Sequence, residues 1–169
     1  MSVLIKPYEI SVWEDQWDRK NSVYVEKKLI TIGSHLMKSQ NKVVNATFTT
    51  NVNGVKKLTF QMYKQYIDVA TGEKVLNPFF NYLVNERKVK LKYDDEWHDF
   101  VIKSISESST NYLYSYSLED AFVNELSKNG FNMVLCAEDH SNTGTANELA
   151  TRVLRETNWS VAEDSEVFV

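Results

Sequence analysis

The chain has little of what many chemistries require. Its single cysteine in 169 residues, Cys136, cannot form an internal disulfide and excludes metal sites built on several thiolates. Within FNMVLCA it reads as a small buried hydrophobe. Five glycines leave no Gly-rich phosphate cradle, and no P-loop, dinucleotide fingerprint, G-x-S-x-G or H-E-x-x-H motif occurs. The three histidines, His35, His98 and His140, fall in three different segments. No apolar run approaches the length of a membrane-spanning helix. A net charge of -4, with acids and bases interspersed, lacks the clustered basic face of specific nucleic-acid recognition.

What remains is an ordinary globular composition with one excess, aromatic residues at 12%, including nine Tyr and four Trp. Large amphipathic rings serve cores and protein interfaces alike, which leans the reading towards an interaction protein. The length suits one domain, or one domain and part of a second. At that size burial of about 70% of the unfolded surface holds a core without disulfide or metal.

The first two thirds read as β. EISVW (9–13) alternates, VYVEKKLITI (23–32) is rich in β-branched residues, and EDQWDRKNS between them reads as a polar turn containing Trp17. In VVNATFTTNVNGVKKLTFQMY, Val44, Ala46 and Phe48 share one parity. Asn53-Gly54 is a type I′ turn dipeptide, and Leu58, Phe60 and Met62 return on the second arm. Another turn is expected at Ala70-Thr71-Gly72. In NPFFNYLVNER, Asn77 as cap and Pro78 in the first turn predict a short helix over about 78–87, plugging one face of the sheet.

KVKLKYDDEWHDFVIK (88–103) places His98 among Asp94, Asp95, Glu96 and Asp99. Lys88, Lys90 and Lys92 form a wet face and Val89, Leu91 and Tyr93 a dry one, with a turn at the acids. The hairpin accounts for the cluster. Adjacent strand residues point to opposite faces, so His98 and Asp99 cannot chelate together. A surface metal contact and catalysis are the alternatives. Tyr112, Tyr114 and Tyr116 in NYLYSYS make an aromatic stripe, read as a packed sheet face or an oligomer interface.

Beyond Tyr116 the character changes. Ser117 with Asp120 resembles a capping box for a helix carrying Leu118, Ala121, Phe122 and Leu126, stopping at Gly130. FNMVLC reads as a strand and AEDHSNTG as a polar loop. Thr145 with Glu148 caps an amphipathic helix over TANELATRVLRET, and Trp159 and Val161 mark a final short strand. The expected fold class is therefore α+β: a β-rich domain over 1–116, then the start of a smaller α+β domain over 117–169. Its helix and strand lack partners within the chain, so the second unit is expected to be incomplete, the chain being the N-terminal piece of a longer protein.

Candidate sites are sparse. His140 beside Glu138 and Asp139 could hold a metal, though loop acids are more often simply solvated. Lys56-Lys57 and the basic residues from Arg87 to Lys92 read as a solvated face, with a binding patch as the alternative. Carboxylate pairs of the glycosidase type are neither supported nor excluded.

The order of motifs NVNGVKKLTFQMY, NPFFNYLVNERKVKLKYDDEWHDFVIK, NELSKNGFN and NTGTANELATRVLRETNWSV resembles the N-terminal region of tail-hub proteins. These belong to long-tailed phages and prophages of Gram-positive bacteria and are also called tail-associated lysins, tail endopeptidases or minor structural proteins. The resemblance covers nearly the whole chain. It implies a structural role: a tube-like β-barrel hub domain over 1–116, homotrimerising into a ring that closes the distal end of the tail tube. The implied partners are the distal tail protein ring and the tape-measure protein. The implied location is the distal tail tip of the virion, after synthesis in the host cytoplasm. Host-interaction or wall-degrading parts would lie further towards the C-terminus. The family offers no catalytic, metal or cofactor residues to carry onto these positions.

The readings to weigh are thus a non-enzymatic hub module, a peptidoglycan hydrolase, and a carbohydrate-binding module with Trp13, Trp17 or Trp97 as stacking platforms. Tyr112, Tyr114, Tyr116, Trp13 and Trp17 are the interface candidates, and no cofactor is expected.

Overall fold

In the computed structural model, residues 2–3, 7–50, 55–108 and 112–128 are described. The chain divides into two compact units, Met1–Ala121 and Phe122–Val169. The expected helix over 145–157, the strands around Cys136 and Trp159, His140, Gly130 and the Asn53-Gly54 dipeptide lie outside the described residues.

The strands run β1 (Ser2–Val3), β2 (Tyr8–Asp18), β3 (Val23–Ser34), β4 (Val44–Thr50), β5 (Lys56–Tyr63), β6 (Gln65–Ile67), β7 (Lys74–Leu76), β8 (Lys88–Tyr93), β9 (Glu96–Glu107) and β10 (Leu113–Asp120). A 3-10 turn covers Pro78–Tyr82, and helix α1 covers Ala121–Lys128. Eight strands form one sheet in the order β1-β4-β5-β10-β9-β8-β2-β3, all pairs antiparallel. The strands β6 and β7 form a separate hairpin. Its loop carries the expected turn, with Gly72 at φ 73°, where a side chain would be strained.

The sheet rolls on itself. Phe48 of β4 and Tyr93 of β8 are separated by β5, β10 and β9 in the sheet, a span of roughly 19 Å if flat at about 4.8 Å per strand. Their ring centroids are 5.8 Å apart, and Phe48 also meets Phe100 of β9 at 6.1 Å. The rolled inner face encloses one core, which includes Ile10, Val12, Ile32, Phe60, Leu91, Ile102 and Tyr116. The ladder itself stays open. Its ends meet at a seam where the Val43 N–H donates to the Ile32 carbonyl at 3.0 Å. Gly33 lies at this seam, and a Cβ there would sit 3.0 Å from that of Val43.

Several boundaries differ from those read in the sequence, each for a local reason. Trp17 is in a strand, because β2 pairs with β3 through Asp18 and the turn is confined to 19–22. Val43, not Val44, faces the core with Phe48, since Asn45 at φ 51° forms a bulge that reverses the parity. The helix over 78–87 is a single 3-10 turn. Its Asn77 cap is as expected, accepting from the Phe79 N–H at 3.0 Å. By Glu86 and Arg87 the backbone is already bonded to Ile102 of β9, leaving no length for a second turn. Phe79, Phe80 and Tyr82 pack against the core from this turn.

Ser117 caps no helix. Strand β10 continues to Asp120 because Leu118 is fully buried with a cross-strand partner on each side, Leu58 and Ile102. The division between the two compact units falls at Ala121/Phe122, just past the end of this strand.

Candidate functional site

His98 follows a two-residue turn in which Asp94 and Asp95 both have positive φ, 56° and 67°. It faces inward, 7% exposed, stacked on Phe48 with centroids 4.9 Å apart. Its Nδ1 lies 3.2 Å from the Lys56 ammonium, which can only donate, so Nδ1 is the acceptor. Burial, and then the Lys56 charge, hold the imidazole below its ordinary pKa, against the weaker pull of Glu96, Asp120 and Asp99. Asp99 points to the outer face and meets Lys90 at 3.4 Å. The arrangement is that of a neutral core histidine. Among the described residues no group of three or more His, Cys, Asp or Glu is placed to hold a metal ion.

The lysines of β8 do not form a free basic face. Arg87 pairs with Glu14 at 3.0 Å, Lys88 with Asp15 and Glu26 at 2.8 and 3.2 Å, and Lys92 with Asp95 at 3.1 Å. Lys90 pairs with Glu26 and lies 5.0 Å from the centre of the Trp13 ring. Burial pushes the Glu26 carboxyl up, but hydrogen bonds from Lys90 and Lys88 outweigh it and hold the group below its ordinary range. The Lys88 and Lys90 pairs tie the outer face of β8 to β2 and β3.

The aromatic candidates separate. Tyr114 and Tyr116 face the core, Tyr116 stacked on Phe60 at 5.1 Å, so neither offers a surface to a partner. That half of the stripe is a packed sheet face. Tyr112, preceding the strand at φ 50°, is exposed. Trp13 is partly covered by Lys90 and by Trp97, whose ring meets it edge-on at 6.3 Å. Trp17 is half exposed and packs edge-on against Tyr24 at 4.9 Å.

A feature that no single sequence motif signals lies on the outer face of β4, β5, β10 and β9. Register aligns Thr47, Thr59, Ser117 and Ser104 in one row, and Gln61, Ser115 and Ser106 in the next. Asn45 extends the second row by donating to Gln61 Oε1 at 2.6 Å, and Gln61 Nε2 donates to Ser115 Oγ at 3.0 Å. The result is a shallow groove of about 340 Å³ whose lining carries no charged side chain. Each strand's alternation signals its own hydroxyls. Only the pairing of β5 with β10, distant in the chain, brings them together.

Comparison with protein-family models, curated proteins and solved structures gives no match.

Proposed function

We propose that this chain is a structural module of a phage tail-tip hub, contributing a rolled β-domain to a ring that closes the distal end of the tail tube. The observation that carries the reading is the pair of uncharged hydroxyl and amide rows across β4, β5, β10 and β9, which line one groove beside the row of Lys57 and Glu119. A conduit for a polyanion must neither hold nor repel it, and a face of short neutral side chains meets that requirement. In a chain that is 25% charged, a two-row surface without a charged side chain favours such a role. The order of the sequence motifs supplies the context: a homotrimeric ring, seated on the distal tail protein and meeting the tape-measure protein. In this reading the hydroxyl face lines the channel, and hydrolytic or receptor-binding work belongs to other parts of the tail tip.

Immunogold electron microscopy of virions with antibody against this chain tests the reading, using both intact tails and tails partly disassembled at the tip. Label at the distal tip is expected. Bare tails in both preparations, with antibody binding only free protein in the lysate, would overturn it and bring forward the hydrolase reading.

A further inference from the structure

The hairpin of β2 and β3 outruns its support. Strand β8 begins at Lys88, opposite Trp13, so residues 14–27 continue as a two-stranded ribbon beyond the paired part of β8. Such ribbons are marginal in water unless another layer covers them. This one is tied at its base by the Lys88 and Lys90 ion pairs to Asp15 and Glu26. Towards its tip it exposes Trp17 at 51%, Val23 at 47%, Tyr24 at 71% and Val25 at 47%.

Strand β3 ends the sheet, and among the described residues no strand pairs with its outer edge. Edges of this kind are usually guarded by charge. Glu26, Lys27 and Lys28 supply that guard along the middle of the strand, whereas Val23, Tyr24 and Val25 leave the tip open. Acids and bases balance four to four over residues 14–28, so the ribbon selects neither a polyanion nor an acidic surface.

The open tip is a palindrome, Val-Tyr-Val. Antiparallel pairing with itself about Tyr24 sets Tyr24 opposite Tyr24 on one face, and Val23 opposite Val25 twice on the other. We infer that the outer edge of β3 at Val23–Val25 is a self-association site, whose partner is the same edge of a second copy of this chain related by a two-fold axis. The contact is small against the roughly 1,200–2,000 Å² of a stable interface, so the dimer is concentration-dependent. It stands apart from the hub reading. A two-fold contact cannot close a ring of three, so in a hub it would belong to the free protein.

Cysteine crosslinking of the full chain tests the register, in a Cys136→Ala background. Under mild oxidation Tyr24→Cys is expected to give a disulfide-linked dimer by itself. Val23→Cys and Val25→Cys are expected to crosslink slowly alone and at least about tenfold faster when mixed, because only the mixture brings two thiols within the Cα separation of about 4.4–6.8 Å that a disulfide spans. In sedimentation velocity, Val25→Lys should shift the unmodified chain towards monomer. Equal crosslinking by all three single variants would overturn the register. A trimer weakened by Val25→Lys would overturn the two-fold pairing. A chain that stays monomeric at millimolar concentration, with no crosslink from Tyr24→Cys, would overturn the site. None of these results bears on where antibody labels the virion.

Discussion

At the scale of single residues, the interior contains two polar groups whose substitution separates packing from polarity. The Tyr116 hydroxyl is buried and meets no hydrogen-bond partner among the described residues, and burial pushes its pKa well up. An unsatisfied buried hydroxyl costs about 1–3 kcal/mol, so Tyr116→Phe, which keeps the stack on Phe60, should leave stability unchanged or raise it by about 1 kcal/mol. Tyr116→Ala should lose about 3–5 kcal/mol through the cavity. Urea denaturation of the two variants checks both values. His98 gives a pH dependence of known sign. Its folded pKa lies below the ordinary histidine value of 6.5, so between the two the unfolded chain binds more protons. Stability must then rise with pH in that window, and is lost as pH falls below about 6.5. His98→Phe should flatten the profile of Tm above pH ~5, where carboxylates have finished titrating. A variant profile with the wild-type slope would assign that slope to another group. That His98 follows a turn was legible from DDEWH. That it turns inward onto Phe48 was not, because its stacking partner lies 50 residues away in sequence.

At the scale of elements, local signals located most strands and hairpins, and tertiary pairing moved their ends. Alternation placed Val89 and Leu91 in the core, as observed. It failed at Val44 because one residue in the left-handed region, Asn45, reverses every later parity. The polar appearance of EDQWDRKNS hid the second half of β2, whose charges are satisfied by Arg87 and Lys88 from elsewhere in the chain. Ser117 resembled a cap because the competing ladder partners, Thr59 and Ser104, come from other strands. The seam between β3 and the start of β4 was likewise invisible, since it consists of a close approach at a glycine. There Gly33→Ala should cost about 1–3 kcal/mol, the usual penalty for overpacking. Removing the opposing Cβ with Val43→Gly creates a cost of its own, but the two changes should be less than additive. A double-mutant cycle measures that coupling, expected at about 0.5 kcal/mol or more because the two side chains would touch. Strict additivity would mean that the seam is not the point of contact.

At the scale of the whole molecule, the hub reading turns on which face of the rolled sheet meets the conduit. The alternatives differ in charge. The outer face over β8, β2 and β3 is a lattice of paired lysines and acids, whereas over β5, β10 and β9 two adjacent rows are hydroxyl and amide, bounded by a row that sets Lys57 opposite Glu119. A channel wall of the first kind would bind and release counterions as a polyanion passed, and its behaviour would vary with salt. The second kind has no such dependence. Ser104 and Ser106 are exposed, so lysine at both positions should be tolerated by the fold with a change within about 0.5 kcal/mol. On the hub reading, Ser104→Lys with Ser106→Lys introduced into the virion protein is expected to give normal numbers of filled, tailed particles. Their DNA release should be slowed at low ionic strength and largely restored by added salt. The same two lysines placed on the ion-paired face, at Thr31 and Ser34, which flank the Glu9–Lys28 pair, supply the control and should leave release unchanged. Slowed release from the control alone would exchange the two faces. Unchanged release from both would place this domain away from the path of the DNA.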